Sequence, residues 1–120
     1  MKILHIEADT DTRTLVKELL GNIKGHTVMT VADGETGLRR IRQWKPQLIL
    51  TELHLPRIDG FELIKTIKQN QHLTNIPIIV VSTLSRTLYR QQGQQLDVAA
   101  YLSKPLELDR LCRQVKQCQA

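Results

Sequence analysis

Long apolar runs are missing from this 120-residue sequence. The longest, Ile76-Pro-Ile-Ile-Val-Val81, falls far short of the roughly 18–20 residues that cross a bilayer, so no transmembrane helix is expected. The opening Met1-Lys2-Ile3-Leu4-His5-Ile6-Glu7 meets an acid after a brief apolar stretch, with no small-residue cleavage site behind it, and a cytoplasmic location is the expectation. Cysteine is scarce. Cys112 and Cys118, six apart, would point to different faces of a helix, so both read as free thiols rather than a disulfide or metal pair. Aromatic residues make up only 3%, and no recognition-helix signature stands out, which counts against nucleic-acid binding. Also lacking are a glycine-rich phosphate loop, a zinc motif and a nucleophile beside a base. His5, His26, His54 and His72 show no metal-ligand spacing, so independent catalysis is not expected.

What is present suffices for one folded domain over residues 1–120, with 41% apolar and 24% charged residues and no interdomain linker. Seventeen basic against twelve acidic residues give a formal charge of +5, which suits an acidic partner but is silent on fold. Arg39, Arg40, Arg42 and Lys45 crowd one segment, Arg86 and Arg90 stand four apart, and Arg110, Arg113 and Lys116 step along the last helical segment. A solvated basic face is the default reading of these groups. The glutamines of Gln91-Gln92-Gly93-Gln94-Gln95 read as a helix end and loop.

Short β-branched or aliphatic runs alternate with amphipathic segments. The runs are Ile3 to Ile6, Thr27 to Val31, Leu48 to Leu50, Pro77 to Val81 and Val98 to Leu102. Between them, Leu15, Val16, Leu19, Leu20 and Ile23 make one helical stripe, Leu38, Ile41 and Trp44 a second, and Phe61, Ile64 and Ile67 a third. A fourth helix is expected over Ser85 to Gln92 and a fifth over Leu106 to Val115. Five strand-then-helix repeats imply parallel strands joined by right-handed crossovers, hence a doubly wound α/β domain with helices on both faces.

Ligands in such sheets bind beyond the carboxyl ends of the strands. Glu7-Ala8-Asp9 follow the first strand, Thr51-Glu52 end the third, Ser82-Thr83 the fourth, and Ser103-Lys104-Pro105 follow the fifth. Two carboxylates, a hydroxyl and an ammonium group are therefore expected at one sheet edge.

Five segments carry a resemblance: Lys2-Ile-Leu-His-Ile-Glu-Ala-Asp, Ala32-Asp-Gly-Glu-Thr-Gly-Leu, the stretch from Pro46 to Leu63, Ile76-Pro-Ile-Ile-Val-Val-Ser-Thr, and Ala100-Tyr-Leu-Ser-Lys-Pro-Leu. In that order and spacing the chain resembles the receiver domains of response regulators in two-component signalling. The resemblance implies a flavodoxin-like five-stranded sheet in the order 2-1-3-4-5. It also implies a phosphoacceptor aspartate and an acidic pair that together hold Mg²⁺. Ser82 matches the switch hydroxyl, Tyr101 the aromatic switch position and Lys104 the phosphate-contacting lysine.

Two positions depart from the family pattern: the phosphoacceptor position is Glu52, and one acid of the pair is Ala8. In-line phosphoryl transfer depends on positioning, and a displacement of about 1 Å, the reach of one added methylene, costs on the order of 10²-fold. Little phosphorylation is therefore expected, with Mg²⁺ at most weakly held by Glu7 and Glu52 and no other cofactor. The longer Glu52 side chain is also placed to pair with Lys104 and to accept from Ser82; such a pair either holds a partly activated arrangement without phosphate or leaves Glu7, Glu52 and Lys104 as a structural triad in a signal-blind scaffold. Asp9 reads as a helix cap before it reads as a replacement ligand.

The reading is an atypical receiver acting through protein contacts. The implied partner is a histidine kinase or output protein, and the implied homodimer uses the fourth helix, fifth strand and fifth helix. The alternatives are a phosphodonor-responsive, Mg²⁺-dependent receiver and a basic nucleic-acid-binding accessory domain.

Overall fold

Each apolar run forms a strand in the computed structural model, which describes residues 1–91 and 97–119. The strands are β1 (Lys2–Ile6), β2 (Thr27–Val31), β3 (Leu48–Thr51), β4 (Ile78–Ser82) and β5 (Ala100–Ser103). They pair in parallel in the order β2-β1-β3-β4-β5, a flavodoxin-like sheet. The helices between and after them are α1 (Thr10–Lys17), α2 (Gly34–Trp44), α3 (Gly60–Gln69), α4 (Arg86–Gln91) and α5 (Leu108–Gln117).

Alternate residues of the central strands serve two cores. Leu4, Ile6, Ile49, Ile78 and Val80 pack with Ile41 of α2, Ile64 of α3 and Tyr89 of α4. Ile3, Leu48, Leu50, Ile79 and Val81 pack on the other side with Val16, Leu20, Leu111 and Val115 of the first and last helical segments. Each fully buried aliphatic side chain contributes about 1.5–3 kcal/mol, so the strand ends are held from both faces. Aspartates start three helices: Asp9, Asp33 and Asp59 accept from the amides of Thr12, Thr36 and Glu62 at 2.9, 2.7 and 2.9 Å. Each such cap is worth about 1 kcal/mol.

The structure departs from the sequence reading in specific places. Pro77 has no N–H for the ladder and precedes β4, although its carbonyl accepts from Ile49 at 3.0 Å. α5 begins at Leu108 rather than Leu106, after a cis Lys104–Pro105 peptide. Of the expected glutamine loop only Gln91 is described; Gln92 to Gln95, with Gly93, lie outside the described residues.

The largest departure follows α1. The helix widens into a π turn over Glu18–Ile23, in which the Lys24 amide reaches back five residues to the Leu19 carbonyl at 3.0 Å. The wider turn rotates the end of the expected stripe: Val16 and Leu20 remain buried, but Ile23 is 65% exposed, and Leu15, in the regular helix ahead of the turn, is 45% exposed at the edge of the buried face.

Candidate functional site

The site is mounted on the sheet by its own backbone. The amides of Glu7, Glu52 and Lys104 donate to Val31, Ile6 and Ser82, carbonyls of neighbouring strands, at 3.0, 3.0 and 2.9 Å. Gly60 lets α3 start directly against this edge. A Cβ there would stand 2.4 Å from the Glu52 carbonyl oxygen and 2.5 Å from the Leu53 Cα.

Glu7 and Glu52 are both buried, and the ammonium of Lys104 lies between them, 2.5 Å from Glu7 Oε1 and 2.9 Å from Glu52 Oε2. The other two oxygens are also engaged. Glu7 Oε2 accepts from the Asp9 amide at 3.1 Å, and Glu52 Oε1 accepts from the amides of Leu53 and His54 at 2.7 and 3.3 Å. All four carboxylate oxygens thus have donors from the chain itself.

Burial works to raise the Glu52 pKa, but donors from Ser82, Lys104 and Leu53, with the Lys104 charge, outweigh it and hold the carboxyl below its usual range. Burial likewise opposes the charge on Lys104, yet bonds to Glu7 and Glu52 and their negative charges raise its pKa above the ordinary lysine value. The triad places a cation between two carboxylates, with Glu52 and Lys104 held in their charged forms.

Ser82 is fully buried at the end of β4, where its Oγ also accepts from the Leu84 amide at 3.1 Å. Tyr101 is turned inward: it is 6% exposed, and its hydroxyl donates to the Leu84 carbonyl. Its ring lies 5.0 Å from that of Tyr89, which stacks on Phe61 at 5.6 Å. The structure therefore brings Glu7, Glu52, Ser82, Tyr101 and Lys104 into one connected region. Ala8 and Asp9 are exposed at its rim. The Asp9 carboxylate is turned to the start of α1, bound by Thr12 through both its amide and its hydroxyl, at 2.9 and 2.6 Å, and these bonds hold its pKa low.

The donor set does not fit Mg²⁺. That ion requires near-octahedral oxygen ligands. Ala8 offers a methyl group, Asp9 is committed to its helix, and the two remaining carboxylates already share an ammonium ion. Among the described residues no group of three or more His, Cys, Asp or Glu side chains is placed to hold a metal.

Two further residues shape the site without having stood out in the sequence. Arg13 donates to the carbonyls of Glu7 and Ala8 at 2.6 and 2.9 Å and so clamps the β1–α1 loop. Its signal was only a basic residue in the first turns after the acidic end of β1. His5, on β1 two residues before Glu7, is buried, and its Nδ1 has no hydrogen-bond partner among the described residues. Burial first, then the charges of Lys104 and Arg13, push its pKa down to about 3, so the ring is neutral. An apolar run around a histidine gives no sign of this depth.

The basic groups divide between faces. Arg86 and Arg90 are exposed and line a cavity with Tyr89, Val98 and Tyr101 beside β5. Arg113 and Lys116 instead line a groove with the π turn, on the α1 side of the sheet. No described helix is long and apolar enough to cross a membrane.

The family model for the response regulator receiver domain matches residues 3–116. The transcriptional regulatory protein AfsQ1 of Streptomyces coelicolor is 35% identical over 105 residues, 88% of this chain and 45% of its own length. The chain thus spans under half of that relative. Protein PilG of Pseudomonas aeruginosa is 27% identical, with 97% of this chain and 85% of PilG covered. The receiver domain of a sensor histidine kinase from Pseudomonas aeruginosa PAO1, solved with a magnesium ion coordinated in its active site cleft, superposes with a TM-score of 0.87. It is 26% identical over 97% of this chain and 94% of that one.

Proposed function

The chain belongs to the response regulator receiver domain family, over nearly its whole length, and on that premise we propose that it is a receiver of two-component signalling that works through protein contacts without aspartyl phosphorylation. The carrying observation is the Lys104 ammonium held between Glu7 and Glu52. In the magnesium-bearing relative a metal ion occupies the active site cleft. Here a side-chain cation supplies positive charge to the same edge, and all four carboxylate oxygens are already engaged.

The chemistry supports the same reading. Phosphoryl transfer to a carboxylate needs a free, aligned oxygen and charge neutralisation on the incoming phosphoryl group. Glu52 has one oxygen committed to two backbone amides and the other to Lys104. Its added methylene moves the attacking atom by about 1 Å, which costs on the order of 10²-fold. The ion pair takes the place of the phosphoryl group in part, with one charge and two oxygens against nearly two charges and three oxygens. It holds Glu52, Ser82 and Tyr101 in one partly activated arrangement. The partner is a histidine kinase or an output protein with an acidic contact surface, meeting the exposed Arg86 and Arg90 of α4 on the face formed by α4, β5 and α5. These elements are also the proposed homodimer face.

The test is intact-mass spectrometry after incubation with Mg²⁺ and acetyl phosphate, on the native chain and on the double variant Ala8→Asp with Glu52→Asp. The native chain gains no phosphoryl group, and the folded double variant does. A stable adduct on the native chain supports the phosphodonor-responsive reading instead. For the interaction itself, Glu52→Gln weakens binding to the partner kinase or output protein, and unchanged affinity contradicts a role for the ion pair in binding.

A further inference from the structure

We propose that the groove between the π turn and α5 docks an acidic amphipathic helix of a partner protein. This surface is separate from the carboxylate site. α1 starts beside Glu7 and runs back along the sheet, so its π continuation ends at the opposite edge, where the His26 amide donates to Leu20 and the Thr27 amide to the Met1 carbonyl.

The groove is open along one side and has a volume of about 570 Å³. Its floor is apolar: Leu19, Leu108 and Cys112 are half-buried there, above the buried Leu20 and Val115. Ile23 forms the lip, 65% exposed because the π turn rotates it out of the stripe that a regular helix would bury.

Charge selects the occupant. Lys24, Arg113 and Lys116 stand exposed around the groove, against Asp109 as its one lining carboxylate among the described residues. An apolar trough bordered by cations complements a helix with leucines along one stripe and acids on both flanks, the helix-in-groove mode of recognition. A second copy of the chain would bring the same cations and a like charge of +5. A membrane surface does not reach a floor that is sunk between two helical segments.

The probe is a synthetic helix with leucines at i, i+3, i+4 and i+7 and glutamates on both flanks, titrated into the full chain and followed by amide NMR. A lysine-flanked analogue, mixed phosphatidylcholine–phosphatidylglycerol vesicles and duplex DNA are tested in parallel. The glutamate peptide shifts amides in 19–26 and 108–119 and leaves Glu7 and Glu52 unmoved. Arg113→Glu with Lys116→Glu weakens it about tenfold or more. Ile23→Glu weakens it as well; all three replaced side chains are exposed, and circular dichroism verifies that the variants fold. The proposal is overturned by equal binding of the lysine peptide, by shifts on another face, or by a stronger response to vesicles or DNA. It is overturned equally by no shift at peptide concentrations up to about 1 mM, the weak end of specific recognition. Neither result bears on phosphorylation at Glu52.

Discussion

Lys104 and Glu7, ninety-seven positions apart in the chain, meet at 2.5 Å inside the edge of the sheet. The contact joins the loop after β5 to the end of β1 across the intervening β3 and β4, with Glu52 as the third member at 2.9 Å. It ties together the two ends of the fold and occupies the centre of the carboxylate site with a fixed cation.

Removing that cation leaves two buried carboxylates facing each other. Lys104→Met is expected to destabilise the protein by about 3 kcal/mol at neutral pH, because breaking a buried pair strands an uncompensated charge. The signs follow from the shifts. Glu52, lowered, contributes stability that is present above its ordinary pKa of 4.5 and lost as pH falls through its folded value. Lys104, raised, contributes stability that is present below 10.5 and lost as pH rises through its folded value. The variant loses both limbs and gains stability relative to the native chain on acidification, as measured by urea unfolding across pH.

His5 sets a second acid limb. Its pKa falls from 6.5 to about 3 on folding, so the unfolded chain binds a proton that the folded chain refuses. Stability is complete above pH 6.5 and declines toward pH 3 by up to about 1.4 kcal/mol per pH unit. His5→Leu removes this slope and, by deleting an unpartnered buried nitrogen, is neutral or stabilising by about 1 kcal/mol at pH 7. Thermal unfolding of both proteins between pH 4 and 7 would show no change in slope if His5 were charged or solvated in the fold.

Gly60→Ala tests how tightly α3 abuts the site. The added methyl meets backbone atoms of Glu52 and Leu53, which cannot rotate away. A loss of about 2 kcal/mol or more is expected, with amide shifts at Glu52. Full native stability would mean that the helix start shifts without strain.

Arg13→Ala should release the β1–α1 loop. Two charge-assisted bonds to the Glu7 and Ala8 carbonyls disappear, at a cost of about 1–2 kcal/mol for this partly exposed side chain. Hydrogen exchange at Ala8 and Asp9 accelerates; unchanged exchange would assign the clamp to the Asp9 cap instead.

Much of the architecture was legible in the sequence because both cores depend on side-chain period. The apolar runs Leu48 to Leu50 and Pro77 to Val81 read as strands, and strands form at Leu48–Thr51 and Ile78–Ser82 with every residue buried. The strand ends pointed to Glu7, Glu52, Ser82 and Lys104 because parallel topology sends the ends of all strands to one edge. Details that depend on hydrogen-bond register were not visible. The π turn changes bonding distance along the chain without a residue type to mark it, and so Ile23 leaves the expected stripe. Likewise, nothing in sequence spacing divides four carboxylate oxygens among Lys104 and the amides of Leu53, His54 and Asp9.

On the proposed function, Lys104 replaces an external trigger at this site. The most direct test is a two-dimensional amide NMR spectrum of the native chain, titrated with Mg²⁺ and then with beryllofluoride, the phosphoryl analogue. The expected spectrum is unmoved by both at Glu7, Glu52, Ser82, Tyr101 and Lys104. Selective shifts at these residues, spreading from the carboxylates to Tyr101, would contradict it and show a switch that still answers to phosphate.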